Sequence, residues 1–210
     1  MKKDVPFVPN TPDDLHCVQS AYMMIAKYFQ PSFSISMDEW SKLTGFEEGK
    51  GTWANTALLW FKENGYKVRH LSLFDYKAFV ENPEVYILNL AGKEVGQWQI
   101  EHTNIPAEVE RVKRLLEAGI IEQREPTFQD IKQGLDGGWL VRVMINWKKL
   151  AGKPGFLGHA VTIIGYEADS VIFHDPGAPP AEGRKVPFKE FEAAWADPNP
   201  SAKEFDAIKL

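Results

Sequence analysis

The chain has 210 residues, 44% of them hydrophobic, and a formal net charge of −5 at pH 7. This size and composition predict a single domain over residues 1–210 with a substantial core. The acidic balance argues against a nucleic-acid partner, because neutralising phosphates requires a basic surface.

The N-terminal segment gives no targeting signal. Residues 5–9 contain two prolines and are too short for the apolar region of a signal peptide. No stretch is long and apolar enough to span a bilayer, so no membrane partner is expected. Cys17 is the only cysteine, which excludes an internal disulfide and gives no sign of an oxidising compartment. We therefore expect a cytoplasmic protein.

The first third of the chain has the apolar spacing of helices. Apolar residues at steps of three and four predict a helix over Cys17–Phe29. Ser36 and Glu39 form a capping-box pattern that introduces a second, short helix. Thr52 can cap a third helix over Trp53–Glu63.

The remainder of the chain is predicted to contain strands as well as helices. The predicted strands are Tyr66–Leu73, Glu84–Leu90, Trp139–Trp147, the hairpin Ala160–Tyr166 and Val171–His174, and Phe205–Leu210. The predicted helices are Pro106–Ala118, a helix through Leu135 that Thr127 and Asp130 cap, and Phe188–Trp195. The pattern predicts an α+β fold in which helices come first and an antiparallel sheet supplies the later site residues.

Three residues in the order thiol, imidazole and carboxylate predict a cysteine hydrolase. Cys17 begins the first predicted helix, where N–H groups and the helix dipole stabilise a thiolate. His159 follows at a separation within the roughly 130–150 residues that is typical of papain-like enzymes. This imidazole would take the thiol proton and return it to the leaving group, while Asp175 would orient the ring.

Each of these residues also has a structural interpretation. A lone cysteine on an apolar helix usually fills the core. His159 could be an ordinary strand-end histidine, and the segment Asp175-Pro176-Gly177 has the composition of a turn. Their joint occurrence in the required order favours catalysis over three separate structural roles.

Four sequence segments carry a family resemblance. They are the run from Asp13 to Met24, Gly51-Thr52 at a helix start, the run from Gly158 to Tyr166, and His174-Asp175-Pro176-Gly177. These segments resemble the papain-like peptidases related to the bacteriocin-processing, double-glycine leader peptidases. The resemblance implies a papain-like α+β fold and cleavage of peptide or amide bonds. It also implies that Cys17 is the nucleophile, His159 the general base and acid, and Asp175 the orienting carboxylate, with no cofactor.

The segment before the cysteine departs from this family. Its members usually carry a glutamine six positions earlier, whose amide joins the cysteine N–H in binding the oxyanion. Thr11 occupies that position here, and Asn10 could supply an equivalent amide if the loop bulges. Asp13 and Asp14 place negative charge beside the thiol, which opposes thiolate formation. Their expected role is to cap the helix.

The predicted hairpin raises a geometric question. A tight turn on Ala168 and Asp169 would place Asp175 opposite Thr162 and not opposite His159. A bulge or a wider loop must therefore bring the imidazole and the carboxylate together.

The other histidines near these motifs are expected to be structural or on the surface. His16 would point away from Cys17, and His174 lies on the strand face opposite Asp175. A metal site built from Cys17, His159, His174 and Asp175 would have mixed ligands without the close spacing of zinc motifs, so no metal is expected.

Two classes of function remain open from the sequence. The first is a cysteine peptidase or amidohydrolase that forms an acyl-enzyme on Cys17, with transfer to an amine as a variant that uses the same residues. The second is a catalytically silent papain-like module that binds peptides. Thr11 in place of the glutamine and the acidic residues beside the thiol motivate this second interpretation.

Overall fold

The computed structural model describes residues 1–177 and 179–210, and within them it places one seven-stranded sheet. The strands are β1 (Lys67–Ser72), β2 (Ile121–Gln123), β3 (Leu140–Asn146), β4 (Gly158–Tyr166), β5 (Ser170–Asp175), β6 (Ala181–Pro187) and β7 (Glu204–Lys209). They lie in the order β2-β1-β7-β3-β4-β5-β6. Every neighbouring pair is antiparallel except β1 and β2, which are parallel. The predicted α+β class is confirmed.

Helices precede, connect and follow these strands. They are α1 (Cys17–Phe29), α2 (Met37–Leu43), α3 (Asn55–Glu63), α4 (Tyr76–Glu81), α5 (Pro83–Ala91), α6 (Lys93–Glu101), α7 (Ile105–Glu117), α8 (Phe128–Asp136), α9 (Trp147–Leu150) and α10 (Phe188–Trp195). The bounds of α1 and α10 are those predicted, and the capping boxes that begin at Ser36 and Thr127 are both formed. No helix in the described part of the chain has the length and apolarity needed to cross a membrane.

The prediction of a strand over Glu84–Leu90 is wrong, because these residues lie in α5. A short apolar run does not by itself distinguish a strand from a helix. Pro83 is the first residue of α5, where its missing N–H costs no intrahelical hydrogen bond. Ile87 is the buried residue of α5, as expected for a helix that packs one face on its neighbours.

Other boundaries also differ from the predictions. The third helix begins at Asn55 with Ala54 as its N-cap, so Thr52 does not cap it. The last strand begins one residue earlier than predicted and ends at Lys209. Five elements, α4, α6, α9, β2 and β6, have no counterpart among the predicted ones. In β6 the single buried residue is Val186, so the strand lacks the apolar alternation that prediction requires.

A buried polar network fixes α1 on the sheet. The hydroxyl of Tyr22 on α1 donates to Asp206 of β7 at 2.7 Å, and Arg142 of β3 donates to the same carboxylate at 3.0 Å. Thr162 of β4 donates to the carbonyl of Ala21 at 2.9 Å. These side chains are buried, and breaking such a buried ionic network is costly because it leaves an unpaired charge. These hydrogen bonds therefore hold α1 in a fixed position relative to β4.

Residues 1–10 lie beside the β4–β5 hairpin, and His174 binds them to it. Because a carbonyl only accepts, Nε2–H of His174 donates to the carbonyl of Val5 at 2.8 Å. Nδ1 accepts from the N–H of Gly183 at 3.0 Å. The imidazole is buried, so of the two roles expected for His174 it takes the structural one.

Candidate active site

Cys17 is the first residue of α1, and its side chain is partly exposed. The N–H groups of the first turn have no carbonyl partner within the helix, so they direct positive potential towards the sulfur. Burial raises the pKa of the thiol. The hydrogen bond and charge of His159, together with the N–H of Ala160, outweigh this effect and lower the pKa of Cys17. The structure thus brings the first two predicted site residues together.

His159 lies on β4 with 6% of its surface exposed. Its Nε2 is 2.7 Å from Oδ1 of Asp175. Because an ionised carboxylate only accepts, Nε2–H is the donor, and Nδ1 is the nitrogen left for the thiol. Burial lowers the pKa of the imidazole, but the hydrogen bonds with Asp175 and Cys17 raise it to about 9. Together with the lowered pKa of Cys17, this favours a thiolate–imidazolium pair.

Asp175 is fully buried at the end of β5. Its Oδ1 accepts from His159 and from the N–H of Gly177 at 3.0 Å, and its Oδ2 accepts from Arg184 at 2.8 Å. Burial raises the pKa of the carboxyl, but these partners, with His159 first among them, lower it below its ordinary value. Asp175 therefore remains a carboxylate that fixes the orientation of the ring.

A β-bulge brings the imidazole and the carboxylate to the same face of the sheet. Next to the turn, at Tyr166 and Gly165, the strands pair in the register of a tight hairpin. Between Gly165 and Ile163, farther from the turn, this register shifts by one residue. Thr162 therefore lies opposite His174 and not opposite Asp175. Because side chains alternate along a strand, the shift turns Asp175 towards the face that carries His159. The expected bulge is confirmed.

Gly177 leaves room for the imidazole–carboxylate pair. A Cβ atom at this position would lie 2.9 Å from Cε1 of His159 and 3.1 Å from Oδ1 of Asp175. Contacts this short are not tolerated, so any larger residue would displace the ring or the turn that contains Gly177.

We expect Gly177→Ala to lower kcat/KM for peptide cleavage about a hundredfold, the usual cost of displacing a reacting group by about 1 Å. The matched control is Gly51→Ala, whose added Cβ would meet only the carbonyl of His102 at an ordinary 3.7 Å. Steady-state kinetics and thermal melting of both variants check this prediction. Full activity in Gly177→Ala would show that this close approach is not needed for the reaction.

Asn10 organises the loop before Cys17. Its Oδ1 accepts from the N–H of His16 at 2.7 Å and of Thr11 at 2.9 Å, and its Nδ2 donates to Asp14 at 2.7 Å. The N–H of Asn10 donates to the carbonyl of Pro176 at 2.8 Å, which joins this loop to the residue after Asp175. The amide expected to serve the oxyanion thus gives one of its two N–H groups to Asp14.

The predicted capping of α1 by Asp13 and Asp14 is wrong. The N-cap residue is His16, and its side chain makes no capping hydrogen bond. Asp13 instead accepts from the hydroxyl of Thr11 at 2.6 Å and from the N–H of Leu15 at 3.2 Å. The acidic pair is therefore used within the loop, where Asp14 adopts a left-handed conformation with φ of 59°.

His16 and His174, the other two histidines considered in the sequence analysis, lie outside the group formed by Cys17, His159 and Asp175. His16 stacks on Phe46 with a centroid distance of 4.0 Å, and both ring nitrogens of His174 bind backbone groups. Over residues 1–177 and 179–210, no three His, Cys, Asp or Glu side chains converge in a geometry that could hold a metal ion.

The chain has relatives among known protein families. The model of the C39-like peptidase family matches residues 2–202. The chain belongs to the C39-like peptidase family. This confirms the family resemblance carried by the cysteine and histidine segments. No match is found among the curated proteins.

Solved structures of C39-type proteins share the fold. A candidate C39-like peptidase from Bacillus anthracis is 14% identical, with 99% of this chain and 96% of that chain covered and a TM-score of 0.55. A double-glycine-motif protease from an AMS/PCAT transporter, solved in complex with the leader peptide, is 11% identical, with coverage of 100% and 94% and a TM-score of 0.50. At this identity the similarity establishes the papain-like fold of the C39 peptidases for this chain.

Proposed function

We propose that this C39-like protein is a cysteine peptidase or amidohydrolase in which Cys17 attacks the substrate carbonyl. The observations that carry the proposal are a partly exposed cysteine at a helix N-terminus, whose thiol pKa the nearby His159 lowers, and the orientation of this imidazole by a buried carboxylate. A core cysteine would need neither the imidazole nor the exposure.

The proposed reaction proceeds in two halves. The Cys17 thiolate attacks the carbonyl carbon, the C–N bond breaks, and the imidazolium of His159 gives its proton to the leaving amine. The acyl group then remains on sulfur as a thioester. In the second half, neutral His159 takes a proton from water, the hydroxide attacks the thioester, and the sulfur leaves as the thiolate while the acid product departs.

The negative charge on the carbonyl oxygen requires hydrogen-bond donors. We assign one donor to the backbone N–H of Cys17, in the first turn of α1, where N–H groups lack helical partners. The second is the Asn10 amide, which has another N–H beyond the one it gives to Asp14. The hydrogen bond from Asn10 N–H to Pro176 keeps this residue beside the segment that contains Asp175.

We infer that the substrate is a peptide. The AMS/PCAT protease with the same fold was solved with a leader peptide bound. A thiol nucleophile with this acid–base partner is suited to acyl transfer from amide bonds.

The pH dependence of cleavage is expected to be bell-shaped. Activity requires the Cys17 thiolate, and the pKa of this thiol is lowered, so activity should persist below the pH at which a free thiol ionises. It also requires the proton on His159, so it should fall as the pH rises through the imidazole pKa of about 9. A plot of kcat/KM against pH checks both limbs. A single rise at the ordinary thiol pKa of about 8.5 would contradict the proposed ion pair.

Incubation with a peptide mixture that includes double-glycine sequences, followed by mass spectrometry, tests the proposed function. We expect new peptide termini and, after acid quenching during turnover, an enzyme whose mass has increased by that of the acyl fragment on Cys17. Peptide binding without products or adduct would contradict the proposal.

A silent peptide-binding module is the second candidate. The observation in its favour is the engagement of the Asn10 amide by Asp14, which takes one donor away from the oxyanion position. The same peptide mixture separates the two candidates, because the silent module would bind peptides and leave them intact. Amide transfer would be recognised by the addition of a supplied amine to the acyl product.

A further inference from the structure

The buried carboxylate of Asp175 has a third partner that the reaction scheme does not use. Arg184 lies on β6, where it pairs with Phe173 of β5, and its Nη1 donates to Oδ2 of Asp175 at 2.8 Å. The side chain of Arg184 is 32% exposed, whereas that of Asp175 is 1% exposed. A partly hydrated cation thus contacts a carboxylate sealed inside the protein.

The two oxygens of Asp175 have different partners. Oδ1 accepts from His159 and from the N–H of Gly177, while Oδ2 accepts from Arg184. An ionised carboxylate removed from water is stable only when charged or polar groups compensate it. His159 carries a positive charge during only part of the reaction, because it gives its proton to the leaving amine. Arg184 remains charged throughout.

We propose that Arg184 is a positioning residue of the active site, which holds Asp175 ionised and keeps Oδ1 turned towards Nε2–H of His159. The inference rests on the proposed function, because it matters only if the Cys17–His159 pair is reactive. Arg184 acts through Asp175 and is not itself in contact with the reacting atoms.

Removing Arg184 should be visible in the titration of Cys17. Without the guanidinium, Asp175 would bind a proton at a higher pH, and a protonated Asp175 would stabilise the imidazolium of His159 less. The thiolate would then be lost at a higher pH. A neighbouring arginine typically lowers the pKa of an aspartate by about one to three units. Because Arg184 is partly exposed, we expect a smaller effect on Cys17, of about half to one unit.

The test measures the rate of Cys17 alkylation by iodoacetamide from about pH 4 to about pH 9. In Arg184→Gln the acid limb is expected to move upwards by about half to one pH unit, which corresponds to a threefold to tenfold slower labelling on that limb. Arg184→Lys keeps the charge but loses the planar guanidinium, so a smaller shift in the same direction is expected. Lys185→Gln is the matched control, because Lys185 on the same strand pairs with Glu167 and not with Asp175.

The possible outcomes separate this inference from the proposed function. If the wild-type protein shows an acid limb that Arg184→Gln does not move, or if labelling falls equally at every pH, Arg184 has no positioning role. If Arg184→Gln does not fold, a profile of Arg184→Lys that coincides with the wild type overturns the inference. If the wild-type thiol itself titrates like a free cysteine, the proposed function fails first.

Discussion

Replacement of Cys17 by serine is expected to lower kcat/KM for peptide cleavage by about 10⁴-fold or more, the scale seen when a nucleophile of a catalytic unit is removed. Serine has almost the same shape, but its hydroxyl is not ionised by a neighbouring imidazole to the extent that a thiol is. Because Cys17 is only partly buried, at the edge of the core, and serine has almost the same shape, thermal melting should change little.

A matched control distinguishes the position of the thiol from its mere presence. Ser34 lies on an exposed stretch between α1 and α2, so Ser34→Cys in the Cys17→Ser background restores one thiol away from the site. This double variant should remain inactive. Retained activity in Cys17→Ser, or its recovery through a thiol at position 34, would exclude Cys17 as the nucleophile.

Replacement of His159 by glutamine is expected to reduce kcat/KM by a similar factor of about 10⁴. The removal of one member of a catalytic unit costs nearly as much activity as the removal of the whole unit. The variant lacks both the cation that lowers the pKa of Cys17 and the proton donor for the leaving amine. What activity remains should increase with pH as the thiol ionises without help.

His102→Gln provides the comparison for this second variant. His102 stacks on Trp98 at a centroid distance of 4.4 Å and hydrogen-bonds to its carbonyl, and it has no contact with the Cys17–His159–Asp175 group. Cleavage by this control should equal that of the wild type. Equal losses in the two histidine variants would assign the effect of His159 to folding and not to catalysis.

Features that depend on local sequence could be predicted. The apolar face of α1 repeats with the helical period, which determines both bounds of the helix. The capping boxes at Ser36 and Thr127 follow from a hydroxyl and an acidic side chain three residues apart. The order of Cys17, His159 and Asp175 along the chain, together with the family resemblance, also predicted that these residues form one site.

Features that depend on tertiary context could not be predicted from the sequence. Tight-turn geometry alone sets Asp175 opposite Thr162, and only the β-bulge after Ile163 corrects this. Nothing in the sequence locates that extra residue, although the need for a bulge could be stated. The contact of Arg184 with Asp175 could not be predicted, because β6 is a polar edge strand with one buried residue. The sequence therefore does not indicate the register of β6 against β5.

Two of the wrong predictions have a common physical cause. In both cases a residue type suits two structures, and tertiary contacts decide between them. The apolar run of Glu84–Leu90 suits a strand as well as a helix, and packing between α5 and α6 selects the helix. Asp13 and Asp14 suit a helix cap, but it is Asn10 that accepts from the N–H of His16 at the start of α1. The two aspartates instead form hydrogen bonds within the loop.

The measurement that tests the central claim most directly is the rate at which iodoacetamide alkylates Cys17 at about pH 5, compared between the wild type and His159→Gln. The structure predicts faster labelling of the wild-type thiol than of the variant at this pH, because the imidazolium of His159 lowers the pKa of Cys17 and so raises the ionised fraction of the sulfur. Equally slow labelling of both proteins, with a common rise near the pKa of a free thiol, would contradict the ion pair on which the proposed reaction depends.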